Sequence, residues 1–241
     1  MRRATVVLHA FHCSPFMVVF IAGMLVLLAF GVEAGVQDLR LQFAADALAG
    51  RTIVVDAGHG GIDPGAAGHG VVEREVVLAV AQDLRQLLAR AGARVIMTRT
   101  GREAPSGKPF RQRRDLAHRA QLANAAGADV LVSIHANYFS HPGQQGAQVF
   151  VNRAALPQSR RLAELIQQAF REVTGSRRQV VTGADIFLLK KARMPAVTVE
   201  IGFLSHPAEA RNLLDPAYQN KLAWGVFLGL ARYFAEGAAP G

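Results

Sequence analysis

Three apolar, β-branched runs, Thr52–Val55, Val130–Ile134 and Ala196–Val199, each lead into a segment dense in chemistry. These segments are Asp56-Ala-Gly-His59-Gly-Gly61, Ser133-Ile-His135-Ala-Asn137 and Val199-Glu200-Ile-Gly-Phe203. Short apolar runs of this kind read as buried strands. Strands are expected over 51–56, 93–98, 129–135, 146–151, 185–189 and 196–201, and helices over 73–91, 111–126, 157–173 and 217–235. The first helix carries Val76, Val77, Val80, Leu84, Leu87 and Leu88 at three-to-four spacing, with Gly92 as its stop. Strand and helix in alternation predict an α/β fold, a mostly parallel twisted sheet of about six strands with helices on both faces. The loops expected at 100–110, 138–145 and 174–184 are rich in Gly, Pro, Ser and charge.

In an open parallel sheet the carboxyl ends of the strands share one edge, where ligands bind. The three segments therefore converge, bringing together two imidazoles and at least one carboxylate, the materials of a zinc hydrolase. His59 lies in a glycine-rich turn that matches no phosphate-binding pattern. His135 interrupts a buried strand at the functional edge. Glu73 and Glu75 follow the glycine loop and open a helix, where carboxylates also gain from the macrodipole. Glu73, closer to the loop, is the preferred ligand of the two. Glu200 ends an apolar run, where a carboxylate is costly unless paired or used. No nucleophilic serine motif and no HExxH is present, which excludes a helix-borne metalloprotease site.

The chain's 241 residues suffice for one α/β domain with a leader. Arg2 and Arg3 precede a nearly uncharged stretch that is densest from Phe16 to Phe30. This predicts a signal peptide or membrane anchor over 1–34, with Val32-Glu-Ala34 as a small-residue cleavage site. A linker at 35–50, a catalytic domain at 51–236 and a tail at 237–241 follow. The remainder is expected outside the cytoplasm, membrane-anchored or secreted to the cell wall or periplasm. The lone cysteine, Cys13, lies in the leader, so the exported part has no disulfide. The net charge is +9, largely from arginine, and suits anionic partners such as wall polymers or lipid head groups. The export signal and the lack of an aromatic–basic patch disfavour nucleic acid.

With these residues assembled, the chain resembles the zinc-dependent N-acetylmuramoyl-L-alanine amidases, a family of cell-wall hydrolases. The resemblance runs through I-V-V-D-A-G-H-G-G-I-D-P-G-A-A-G at 53–68, Glu73-Arg74-Glu75, M-T-R at 97–99, H-R-A-Q-L-A-N at 118–124, S-I-H-A-N at 133–137 and M-P-A-V-T-V-E-I-G-F-L-S at 194–205. It covers nearly the whole exported part. It implies Zn²⁺ held by His59, Glu73 and His135, with Glu200 as the catalytic carboxylate. The implied reaction hydrolyses the amide between N-acetylmuramic acid and L-alanine of the peptidoglycan stem peptide. Asp56, Asn137 and Arg99 are candidates for orienting ligands or substrate. His206 stands where the family commonly has Asn, and the Pro207 that follows favours a role in the loop. The spacing after Asn137 leaves no room for the inserted helix of regulated division amidases, so the site is expected to be open. Control would then fall to location, timing or an activating protein partner. A membrane-proximal catalytic domain without wall-binding repeats resembles the sporulation amidases of spore cortex. The rival readings are a zinc peptidase cutting within the stem and a non-catalytic wall-binding module.

Overall fold

The computed structural model describes residues 14–141 and 143–238. Arg2, Arg3 and Cys13 lie outside them, as do the last residues of the expected tail. The chain divides into two units between Gln42 and Phe43. The leader is helical: α1 spans Pro15–Leu48. Phe16, Phe20, Leu25, Leu27 and Phe30 on it are exposed. Among the described residues, no helix is long and apolar enough to cross a membrane. The last turns of α1 bury Ala44, Ala47 and Leu48, and the second unit begins at Phe43.

In that unit β1 (Thr52–Ala57) is followed by a short hairpin of β2 (Ala67–Gly68) and β3 (Val71–Val72), then α2 (Glu73–Arg90), β4 (Arg94–Met97), α3 (Gln112–Ala125) and β5 (Val130–Asn137). Next come β6 (Gln148–Asn152), α4 (Pro157–Thr174), β7 (Val181–Ala184), α5 (Phe187–Lys191), β8 (Ala196–Phe203), α6 (Pro207–Asn212) and α7 (Pro216–Ala238). The six-stranded sheet has the order β4-β1-β5-β8-β6-β7. Its pairings are parallel except for β6 with β8. The expected α/β fold with a mostly parallel sheet is the fold observed.

One expected strand is a correction. The run at 185–189 forms α5, and the strand lies just before it, at Val181–Ala184, inside a predicted loop. Four apolar residues in a row suit a buried strand or a buried helical turn equally. The side chain of Asn152 decides between them. Its Oδ1 accepts from Ile186 N at 2.9 Å and its Nδ2 donates to Ile186 O at 3.3 Å, which occupies the backbone groups a ladder would use.

The sheet is covered on both faces. Side chains alternate along a strand, so Val54, Leu131 and Ala196 share a face with register partners on β1, β5 and β8. They form a core with Ala120 and Ala123 of α3 and Leu188 and Leu189 of α5. α2, α4 and α7 pack together on the sheet's other side. α4 and α7 approach closely because Gly225 and Gly229 face Phe170 and Ile166; a Cβ on Gly229 would lie 2.5 Å from Ile166 Cα. Gly229→Ala should therefore destabilise the domain by about 1–3 kcal/mol through overpacking, read as a lowered urea midpoint. An unchanged midpoint would mean that the two helices separate at no cost.

Candidate metal centre

The face that buries Val54, Leu131 and Ala196 turns polar two residues further along each strand. In the next row Asp56 pairs with Ser133 and Ser133 with Thr198. One row beyond, His135 stands directly opposite Glu200. Apolar, polar and ionisable rows therefore follow one another toward the carboxyl edge, and the last row opens into a cavity of about 260 Å³. Its walls include Phe110, Leu116, Ile186 and Leu188, with His59, His135, Thr198 and Glu200 on the sheet side.

His59 enters from the turn after β1. Gly58 makes room, because a Cβ there would collide with the His135 ring. His59 itself has φ of 60°, a left-handed conformation rarely adopted by non-glycine residues. The surrounding bonds hold it. Gly60 and Asp63 exchange backbone hydrogen bonds of 3.0 and 3.1 Å, and Asp63 Oδ2 lies 2.9 Å from His59 Nδ1. From below, Arg119 Nη2 donates to His59 O at 2.6 Å. Arg99 donates to Ala57 O at 2.9 Å and to Gly58 O at 2.7 Å.

Glu73 binds the turn to β5. Its Oε1 lies 3.1 Å from His59 Nε2 and 3.0 Å from His135 Nδ1. It also accepts from Ala136 N at 3.0 Å, and Oε2 accepts from Ala66 N at 2.8 Å. The sequence places Glu73 as the first residue of α2, directly after the short hairpin. One ligand atom from each of His59, Glu73 and His135 lies within 4.8 Å of the other two. Ligands bonded to zinc at about 2.0–2.1 Å stand about 3.3–3.4 Å apart in a tetrahedron, so this trio fits the ion with small adjustments. Glu200 Oε2 is buried beside them and has no hydrogen-bond partner among the described residues, as expected of a group that works on water or substrate.

The electrostatics separate the carboxyls. Burial pushes the Glu200 carboxyl up to about 7, the charges of His135 and His59 opposing and that of Glu73 reinforcing. Burial would raise Glu73 too, but its bonds to His135 and His59 hold it well below the usual carboxylate range. Burial would lower both imidazoles, and Glu73 raises them. Metal ligation needs neutral imidazoles, so protons compete with a metal here.

Of the remaining sequence candidates, Asp56 lies beneath the trio. It accepts from Thr98 Oγ1 and from Arg119 Nη1, each at 2.7 Å, and from Ser133 Oγ. Arg99 is buried and holds the glycine turn through carbonyls. Asn137 ends β5 and accepts from Leu204 N through its backbone, at 2.8 Å; its side chain makes no hydrogen bond among the described residues. His206 caps α6, its Nδ1 accepting from Glu209 N at 3.3 Å. Glu75 bonds Arg74 and Arg102, away from the trio. Between β5 and β6 the described residues form no helix. Arg119, Asp115 and Asp63 were not picked out as site residues. Arg119 sits in the HRAQLAN helix, and only its low exposure and its reach to Asp56 reveal its task.

Asp56 is drawn from 3.8 down to about 2, because the Arg119 charge and the bonds from Ser133 and Thr98 outweigh its burial. Its folded-state value is depressed, so the stability it contributes is full above about 3.8 and disappears as pH falls through about 2. Asp56→Asn removes one of the two carboxylates that pair with Arg119, leaving Asp115, and should cost about 2–3 kcal/mol at neutral pH. In urea titrations the gap between wild type and variant should narrow on acidification; a gap constant down to about pH 2 would refute the pairing.

Comparison with known proteins identifies the family. The N-acetylmuramoyl-L-alanine amidase model matches residues 53–232. The germination-specific N-acetylmuramoyl-L-alanine amidase of Bacillus subtilis is 36% identical over 199 residues, covering 80% of this chain and 84% of its own. AmiA of Escherichia coli is 31% identical, with 76% of each chain covered. Among solved structures, the CwlD amidase of Clostridioides difficile, in complex with the GerS lipoprotein, superposes with a TM-score of 0.73 at 34% identity, covering 77% of this chain and 99% of that one. The site built from His59, Glu73, His135 and Glu200 thus lies within the matched region, and the chain belongs to the N-acetylmuramoyl-L-alanine amidase family.

Proposed function

We propose that this amidase is a zinc enzyme in which His59, Glu73 and His135 hold the ion and Glu200 is the general base. It would cleave the lactyl–L-alanine amide of peptidoglycan outside the cytoplasm. The observation that carries the reading is the trio, its Glu73 buried and both imidazoles half-buried, beside a carboxylate whose Oε2 has no partner among the described residues. Zinc, when bound, supplies Lewis acidity that polarises an amide carbonyl and lowers the pKa of water toward about 7.

The chain's own groups do the rest. Glu200 takes one proton from the attacking water and returns it to the alanine nitrogen as the C–N bond breaks. A free lactyl carboxyl and an intact peptide with an L-alanine amino terminus result. Glu73, held by Ala66 N, Ala136 N and both imidazoles, stays ionised and fixes the ligand set. Asp56, Arg99 and Arg119 orient the turn that carries His59.

Export is attributed to the leader: Arg2 and Arg3 precede it, and its apolar side chains are exposed. The leader serves as a signal peptide or an anchor. A role in spore cortex is supported by the germination-specific relative. Control by a partner protein is supported by the CwlD–GerS complex and by the open cleft.

The purified full chain, in detergent, should release intact stem peptides from muropeptides only with zinc, as read by mass spectrometry. Zinc bound without release from any ordinary or cortex muropeptide would overturn the proposed activity; peptides cut within the stem would make it a peptidase. Glu200→Gln should keep zinc and lose at least about 10²-fold in kcat. His135→Ala should lose the metal as well as the activity, and full zinc occupancy in that variant would remove His135 from the ligand set.

A further inference from the structure

Two buried side-chain oxygens in the cavity have no hydrogen-bond partner among the described residues, Glu200 Oε2 and Thr198 Oγ1. They are neighbours by construction. Thr198 and Glu200 are two residues apart on β8, hence on one face of the sheet, and both line the cavity beside the trio. Thr198 is 4% exposed.

The adjoining polar groups are committed elsewhere. Across β5, the Ser133 hydroxyl donates to Asp56. Across β6, Gln148, which pairs with Glu200 in register, donates its amide to Gln179 O at 2.8 Å. Arg119 directs its donors to Asp56, Asp115, Ala57 O and His59 O.

A buried hydroxyl without a partner costs about 1–3 kcal/mol. Valine has nearly the same shape and would avoid that cost, so the hydroxyl at 198 calls for a partner that the chain does not supply. The two oxygens share this face, yet neither bonds the other. A single water bonding both oxygens, at about 2.8 Å to each, would satisfy the two at once. Ser133 Oγ, with its proton on Asp56, keeps lone pairs for a third bond, and a buried water is stable with two to four polar partners.

We propose that Thr198 is a positioning residue for Glu200: its hydroxyl holds one ordered water that also bonds Glu200 Oε2 and sets the direction of that carboxylate. The inference rests on the reading of Glu200 as general base. The water is structural and is distinct from the water consumed in hydrolysis. The hydroxyl and its water act through Glu200, so they bear on kcat and leave substrate binding unchanged.

The test uses the zinc-loaded full chain with Thr198→Val and Thr198→Ser. Thr198→Val should lower kcat about tenfold, as expected for misplacement of a catalytic group, with KM within about twofold. Its zinc content should be unchanged. Thr198→Ser should restore most of the rate. A high-resolution crystal structure should show a water within about 3.2 Å of both oxygens, lost in Thr198→Val. Wild-type kcat in Thr198→Val, or a wild-type cavity without a water touching both oxygens, would overturn the proposal. If wild type itself releases no peptide with zinc bound, the amidase reading fails, and the crystallographic arm still decides whether Thr198 and Glu200 share a water.

Discussion

The site hangs on one buried ion pair. Arg119 is 1% exposed, and its guanidinium meets Asp56 and Asp115 at 2.7 Å each while bonding two carbonyls of the glycine turn. Two charges taken out of water are stabilising only when every donor and lone pair is matched, and this network comes close to that. Its effect is geometric. The residue carrying one imidazole sits at φ of 60°, a conformation that costs of order 1 kcal/mol or more and persists only where its surroundings enforce it. Arg119 grips the His59 carbonyl, Asp63 grips the ring, and Arg99 grips the two preceding carbonyls. The strain is therefore borne by the folded domain, and the imidazole does not have to find its place when a ligand arrives.

Register supplies the other half of the preorganisation. Each strand alternates faces, so a row of side chains is set by pairing alone, and a slip of one residue would turn the ionisable row onto the opposite, apolar face. The rows that pack under α3 and α5 are hydrophobic, which ties the register to the core. His135 and Glu200 then stand side by side because Leu131 and Ala196 do, two rows lower. Core packing and site geometry are one constraint.

This explains what could be read in the sequence. The runs ending at Val55, Ile134 and Val199 are long enough and β-branched enough to mark three parallel strands, and the chemistry at their ends follows from the shared edge. Helices with a strong apolar period, such as 73–91, fell within a residue or two of their observed bounds. The run at 185–189 went astray because its outcome depends on Asn152, more than thirty residues upstream in sequence. The two-residue strands of the hairpin before α2 are too short to show any period. Arg119 stayed hidden for another reason. A charged residue on a helix reads as solvated, and nothing local says that it points inward at Asp56.

The two carboxylates of the site sit in environments that match the two tasks proposed for them. Glu73 and Glu200 are both out of bulk water, so burial raises both. Glu73 then receives two backbone N–H groups and lies against two imidazoles, which stabilise the anion far beyond the cost of burial. A carboxylate so satisfied is a poor base and a good fixed ligand. Glu200 has no such hydrogen bonds among the described residues, and burial raises its carboxyl. The base proposed here would accept a proton and then release it, which needs both forms accessible. Exchanging the environments would exchange the roles. The difference between two similar residues is thus made by Ala66, Ala136 and the imidazoles around Glu73, and by the absence of such partners around Glu200 among the described residues.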